Sequence, residues 1–200
     1  MADGRTIRYY DTPGQARIIE DARPQEEQPG IGELRLDPLV NEWVAMAAHR
    51  QGRIFLPPKE LCPLCPTTGE LLTEIPESDF EVVVFDNRSP SLRPPVGDWA
   101  LPDMVGPDTD LGTAAGKCEV ICFTAEHGNA FKDLTPQRVR TLLEAWIDRT
   151  TELSQESFIE HIAPFENRGE EIGVTLSHPH GQIYAYSYIP PRVEKMLAAA

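Results

Sequence analysis

Two short segments concentrate the side chains able to do chemistry. The first is Ser177-His-Pro-His-Gly-Gln182, which holds two of the chain's five histidines. In an extended backbone His178, His180 and Gln182 project from one face, with alternate residues about 6.5–7 Å apart. Neutral imidazole is a nucleophile, a proton carrier and a metal ligand near pH 7. Pro179 stiffens the pair, and Gly181 permits close approach of a ligand or another backbone. By itself such a pair also suits a shared metal site or two hydrogen-bonded core imidazoles. The second segment, Cys62-Pro-Leu-Cys65, has the thiolate spacing of half a structural zinc site. Two further ligands would close a tetrahedron, and His127 and His178 are the natural candidates. A redox pair is the competing reading, but such pairs open a helix after a strand, and Pro63 and Pro66 make a helix here unfavourable.

The other two cysteines, Cys118 and Cys122, share one face of an apolar run and read as core thiols. Without a secretory leader-like start, four cysteines divide better into metal ligands and core thiols than into disulfides. The cytoplasm is the expected compartment. No apolar run approaches the roughly 20 residues of a membrane span. The 32 acidic and 18 basic residues give a net charge of −14, which argues against duplex nucleic acid as a partner. A small phosphorylated ligand needs only two or three local donors and stays compatible with that charge. At 200 residues the chain can bury roughly 70% of its unfolded surface without disulfides.

Several elements must position these residues. Residues 1–32 are polar and rich in Gly and Pro, and are expected to be a flexible arm ahead of a domain at 33–200. Leu34 to Met46 reads as a hairpin. Residues 50–78 are loop-like, and Phe80–Phe85 is a buried strand. The stretch 89–116 is expected to be a long mobile loop. Glu119–Thr124 is a strand, and Thr135-Pro136 caps a long helix that runs to about Gln155. Its apolar face is expected at Val139, Leu142, Leu143, Trp146, Ile147 and Leu153. Ile162–Phe165 and Gly181–Ile189 complete the strands, and a further helix is expected to begin after Pro190-Pro191. Strands that look antiparallel, with one long helix, indicate an α+β fold. The 19 prolines predict much irregular structure.

Taken together, these motifs resemble the galactose-1-phosphate uridylyltransferases of the histidine-triad superfamily. The resemblance is carried by Cys62-Pro-Leu-Cys65, Phe165-Glu-Asn-Arg-Gly169 and Ser177-His-Pro-His-Gly-Gln-Ile-Tyr184. It is supported by Arg35-Leu-Asp-Pro-Leu with Trp43, His49-Arg50, Val84-Phe-Asp-Asn87 and Val120-Ile-Cys-Phe-Thr-Ala-Glu-His127. It implies a histidine-triad-like curved antiparallel sheet with a long helix on one face. His180 would be the nucleophile that takes UMP from UDP-glucose and passes it to galactose 1-phosphate. Gln182 would be the neutral phosphate donor, where related hydrolases carry a third histidine. Cys62, Cys65, His127 and His178 match the zinc ligands. Leu64 and Leu71 would flank the base, Asn87 and Asn167 would contact the nucleotide, and Thr175 would stand near the phosphates. Thr175 lies in Gly173-Val-Thr-Leu-Ser177, which departs from the family's Gly-Cys-Ser-Asn-Pro.

Arg50 and Arg53 resemble arginines that reach phosphates across a dimer interface. His49 and His161 receive no role. Family members run to about twice this core. The chain is therefore expected to be the N-terminal half, working as a homodimer or with a separate C-terminal half. UDP-glucose, UDP-galactose and hexose 1-phosphates are the implied partners. Two alternatives keep the scaffold: an ADP-sugar or dinucleotide phosphorylase, and a zinc-stabilised half that is inactive without its partner chain.

Overall fold

The computed structural model describes residues 1–12, 17–24, 32–50, 56–69, 71–95 and 111–200. Hydrophobic strands from distant parts of the chain assemble a five-stranded antiparallel sheet in the order β1(Ile7–Tyr10), β4(Val82–Asp86), β6(Gly116–Cys122), β8(His180–Tyr186), β7(His161–Phe165). A smaller sheet has the order β3(Glu42–Met46), β2(Glu33–Asp37), β5(Leu111–Thr113). The β2–β3 hairpin forms as its sequence predicts. Asn41 takes the left-handed conformation at its turn (φ 54°), which a short polar side chain tolerates better than most.

The central strands are covered on both faces, which explains their composition. Val82 to Phe85 is buried without alternation, as expected for a strand with no solvent face. Val82, Val84, Ile121, Phe123, Ile183 and Ala185 form one core with Leu142, Ala145 and Leu153 of α1(Pro136–Leu153). On the opposite face Val83, Phe85, Val120 and Cys122 pack against Cys62, Leu64, Ile75 and Phe80 of the cysteine-bearing loop. That loop is therefore the second cover of the sheet. Along β8, Gly181, Ile183 and Ala185 are buried, while His180, Gln182, Tyr184 and Tyr186 are half-buried on the other face.

Helix α1 begins as predicted. Thr135 caps it by accepting a hydrogen bond from Arg138 N at 3.2 Å, followed by Pro136 in the first turn. Its buried stripe differs from the periodicity reading. Leu143 and Ile147 are exposed (49% and 66%), whereas Thr141, Ala145 and Arg149 are buried with Leu142 and Leu153. Arg149 is fully buried because Glu119 on β6 meets it bidentately, Nε to Oε2 at 3.0 Å and Nη2 to Oε1 at 2.7 Å. Glu152 also binds its Nη1. Truncating one member strands a buried charge, so Arg149→Met is expected to cost about 3–5 kcal/mol in urea denaturation. The double change Arg149→Met with Glu119→Leu should recover most of that loss.

Two segments expected to be irregular are partly ordered. Ile7–Tyr10, within the anticipated flexible arm, is an edge strand paired to β4. Tyr10 donates to Asp148 at 2.5 Å, and Thr6 N donates to Asp86 Oδ2 at 2.8 Å. Four residues carry too weak a local signal, and the strand exists through a partner some 75 residues away in the chain. Within the stretch 89–116, Leu111–Thr113 pairs with β2 and Arg93 bridges to Ala115. The predicted helix beyond Pro190 is α2(Pro191–Ala199).

Candidate functional site

The cysteine loop is shaped by its own backbone. A 3-10 turn over Lys59–Leu61 delivers Cys62, whose N–H returns to Lys59 O at 3.2 Å. The returning segment closes the loop: Glu74 N donates to Pro63 O at 2.9 Å, and the Thr73 hydroxyl donates to Cys65 O at 2.6 Å. The pair thus lies in a proline-bounded loop with no helix beginning at Cys62, which disfavours the redox reading. His127 follows the end of β6, and His178 directly precedes β8. Together Cys62, Cys65, His127 and His178 place one ligand atom each within 4.8 Å of one another.

This donor set suits a zinc ion. The Nδ1 atoms of His127 and His178 stand 3.3 and 3.5 Å from Cys65 Sγ. Zn–S and Zn–N bonds of about 2.3 and 2.05 Å at a tetrahedral angle require about 3.6 Å. His178 Nε2 lies 2.8 Å from Thr124 O and His127 Nε2 lies 3.1 Å from Ser177 Oγ. Donation of Nε2–H to Thr124 O leaves the His178 Nδ1 lone pair for the ligand cluster. Burial draws the His178 pKa down to about 4, so the ring is neutral at pH 7. Burial and the neighbouring Cys62 sulfur push the Cys65 thiol up to about 12, a penalty that a bound cation would reverse.

Beside this cluster lies a cleft of about 690 Å³, within the range of small-molecule sites. Its floor is a cross-strand row set by register. Phe85 on β4 pairs with Val120 on β6, Val120 with Gln182 on β8, and Gln182 with Phe165 on β7. All four line the cleft, as does His180 one alternate position before Gln182. His180 Nδ1 is 2.7 Å from the carbonyl of His178. With Nδ1–H donating there, Nε2 carries the lone pair. Burial lowers the pKa of this ring as well.

The structure gathers most of the residues singled out in the sequence. Leu64, Asn87, Asn167, Thr175 and Arg50 all line the same cleft as His180 and Gln182. Asn87 is oriented by its own turn, its Oδ1 accepting from Ser89 N at 2.9 Å, which leaves its amide N–H donors to the cleft. Arg50, which the resemblance sets across an interface between two copies, lines the cleft of its own chain. Leu71 lines an adjoining cleft with Arg5, Arg23 and Glu74 instead. Arg53 lies outside the described residues. Sequence reasoning missed Phe85, Val120 and Tyr184 as lining residues. The signal available was alternation, since Phe85 and Asn87 are two apart, as are Gln182 and Tyr184.

Gly181 has the predicted close approach. A Cβ there would stand 2.6 Å from Phe165 O and 2.9 Å from the Phe123 ring. Gly181→Ala must push β7 or Phe123 away beside His180. A loss of about 1–3 kcal/mol is expected by thermal denaturation.

A cleft-lining histidine with one nitrogen anchored to the backbone thus stands beside a Cys2His2 cluster on one antiparallel sheet, a fold of the class seen in solved uridylyltransferases. Two solved uridylyltransferase structures superpose with TM-scores of 0.64 and 0.65 at 29% and 27% identity, each covering 84% of this chain and about half of theirs. The chain belongs to the family of the galactose-1-phosphate uridyl transferase N-terminal domain, which matches residues 23–190. It is 42% identical to the galactose-1-phosphate uridylyltransferase of Streptomyces lividans over 98% of its length, and 41% identical to that of Thermotoga maritima over 84%. It spans 50% of the length of each of these relatives. A plant ADP-glucose phosphorylase, at 24% identity and a TM-score of 0.53, shares the fold.

Proposed function

We propose that this chain is the nucleophile-bearing half of a galactose-1-phosphate uridylyltransferase that moves UMP from UDP-glucose to galactose 1-phosphate. The observation that supports this most directly is the anchored His180 imidazole beside Gln182 in the 690 Å³ cleft. In the first half-reaction the His180 Nε2 lone pair forms a bond to the α-phosphorus. The bond from that phosphorus to the bridging oxygen breaks, and glucose 1-phosphate leaves with the electron pair. The His178 carbonyl holds the Nδ1 proton throughout and stabilises the positive charge that the ring acquires. In the second half-reaction a phosphate oxygen of galactose 1-phosphate attacks the same phosphorus. The P–N bond breaks, its electron pair returns to Nε2, and UDP-galactose departs.

Gln182 donates hydrogen bonds to the phosphoryl oxygens in both steps without changing charge. Leu64, Phe85 and Val120 supply an apolar seat for the base, and Asn87 and Asn167 supply polar contacts. Thr175 offers a hydroxyl to the phosphates. Cys62, Cys65, His127 and His178 would hold zinc as four protein ligands. Its contribution would be structural, tying the cysteine loop to the residue two before the nucleophile. The sugar portions are expected to be met by residues beyond these 200, on a C-terminal half or a second copy, since the relatives are twice as long. Among the described residues no helix is long and apolar enough to cross a membrane. A cytoplasmic setting suits the four free cysteines.

The test is intact-mass measurement after incubation with UDP-glucose. A gain of one UMP that galactose 1-phosphate then removes, yielding UDP-galactose, is the expected result. Absence of any adduct, with or without a C-terminal half added, would overturn the reading. An adduct formed from ADP-glucose in preference to UDP-glucose would do so as well.

A further inference from the structure

A second cavity, of about 340 Å³, lies behind the wall of the 690 Å³ cleft. Pro63, Glu74 and Arg88 line both spaces, so these residues form the partition between them. The N-terminal arm holds that partition from the far side, with residues that precede the matched stretch 23–190. Arg5, only 5% exposed, reaches in from just ahead of β1. Its guanidinium engages three acceptors. Nε donates to Asp3 Oδ2 at 2.7 Å, Nη1 to Asp86 O at 2.9 Å and Nη2 to Glu74 Oε2 at 2.5 Å. Arg23 and Arg88 share the Glu74 carboxylate, at 3.0 and 3.5 Å.

Two of those acceptors belong to different segments of the cleft wall. Glu74 N donates to Pro63 O at 2.9 Å, so Glu74 is fastened to the cysteine loop whose Pro63 and Leu64 line the cleft. Asp86 ends β4, and its carbonyl leads directly into Asn87 and Arg88, which also line it. The arm is itself fixed to this end of β4. Thr6 N donates to Asp86 Oδ2 at 2.8 Å, and Asp86 N donates to Thr6 O at 3.1 Å. A guanidinium is planar and rigid, so its two terminal nitrogens hold their acceptors at a set separation. A lysine amine is a single point and cannot do this. We propose that Arg5 is a positioning residue that braces these two segments from behind and sets the width of the seat for a nucleoside. This rests on the nucleotide reading above. In that reading His180 and Gln182 meet the phosphates, and they stand on β8, two strands from β4 in the sheet. The brace therefore acts on the base and ribose and leaves the phosphate donors in place.

The test is calorimetric titration of the 200-residue chain with UMP and with uridine, with thermal denaturation to show that each variant is folded at the titration temperature. Arg5→Met leaves Glu74 with Arg23 and Arg88 as partners, and should weaken UMP and uridine by the same factor, about tenfold. Arg5→Lys keeps the charge but loses the fork, and should weaken both about three- to tenfold. Arg23 meets Asp21 and Glu74 and does not bridge to Asp86, so Arg23→Met should stay within about twofold of wild type. Should Arg5→Met fail to fold, the Arg5→Lys titration decides. A lower Tm with unchanged affinities makes Arg5 merely structural, and the proposal fails. It fails equally if Arg5→Lys binds as wild type does, if Arg23→Met weakens binding as much as Arg5→Met, or if UMP weakens and uridine does not. Each of these results leaves the nucleotide reading intact. Binding of neither UMP nor uridine by wild type overturns the nucleotide reading, and this inference with it.

Discussion

Replacing His180 by Ala is expected to abolish the UMP adduct and to cut uridylyl transfer by at least about 10⁴-fold, since among the described residues it is the one histidine lining the cleft. His178 cannot substitute. Its ring is buried, its Nδ1 faces Cys65 and its Nε2 meets Thr124 O. The measurement is single-turnover mass spectrometry with UDP-glucose, alongside thermal denaturation to show that the variant folds. Gln182→Ala should retain the adduct but form it more slowly by about 10²–10³-fold, the usual cost of one transition-state donor. An undiminished adduct in His180→Ala would sink the assignment of the nucleophile.

The second large effect concerns the Cys2His2 cluster. Cys62→Ala or Cys65→Ala, or treatment with a strong chelator, is expected to remove one zinc per chain and lower Tm by more than about 10 °C. Structural zinc contributes up to about 10–16 kcal/mol in isolated fingers. Here the effect should be smaller and local, because α1 and its face of the sheet have their own core. Hydrogen exchange should accelerate across residues 57–75 and around His127, while amides on the α1 face of β4 and β6 stay protected. Unseating the loop would also withdraw Pro63 and Leu64, which wall the cleft over Phe85 and Val120. Metal removal should therefore weaken UMP binding as well as stability. A chain that keeps its Tm after its metal has been removed, as verified by elemental analysis, would show that the cluster has no structural role.

Much of this molecule is legible in local pattern. The FEVVVF and EVICFT runs became adjacent strands because β-branched and aromatic side chains fit a pleated surface covered on both faces. Thr135-Pro136 began α1 because cap chemistry is local. Alternation placed His180 and Gln182 on one face. The errors have a common origin in long-range contact. The stripe of α1 differs because Arg149, which hydropathy assigns to solvent, pairs with Glu119 in the sheet, on the face that excludes Leu143 and Ile147. Ile7–Tyr10 became a strand because an edge of β4 was open to it.

Residue types and spacing alone determined the chemical repertoire: a histidine nucleophile candidate, a neutral phosphate donor, and a cysteine pair of zinc-binding spacing. These depend on side-chain identity and on separations of two or three residues, which the covalent chain itself dictates. Only the tertiary structure decided which of them meet. Strand register set Gln182 beside Val120 and Phe165. Packing of the cysteine loop on the sheet brought Cys65 to His127 and His178 across 62 and 113 residues of chain. The same folding put Arg50 against Ser91 and Tyr184, and Leu71 into a different cleft from Leu64. Such juxtapositions follow from burial and register summed over the whole domain, and no local segment encodes them.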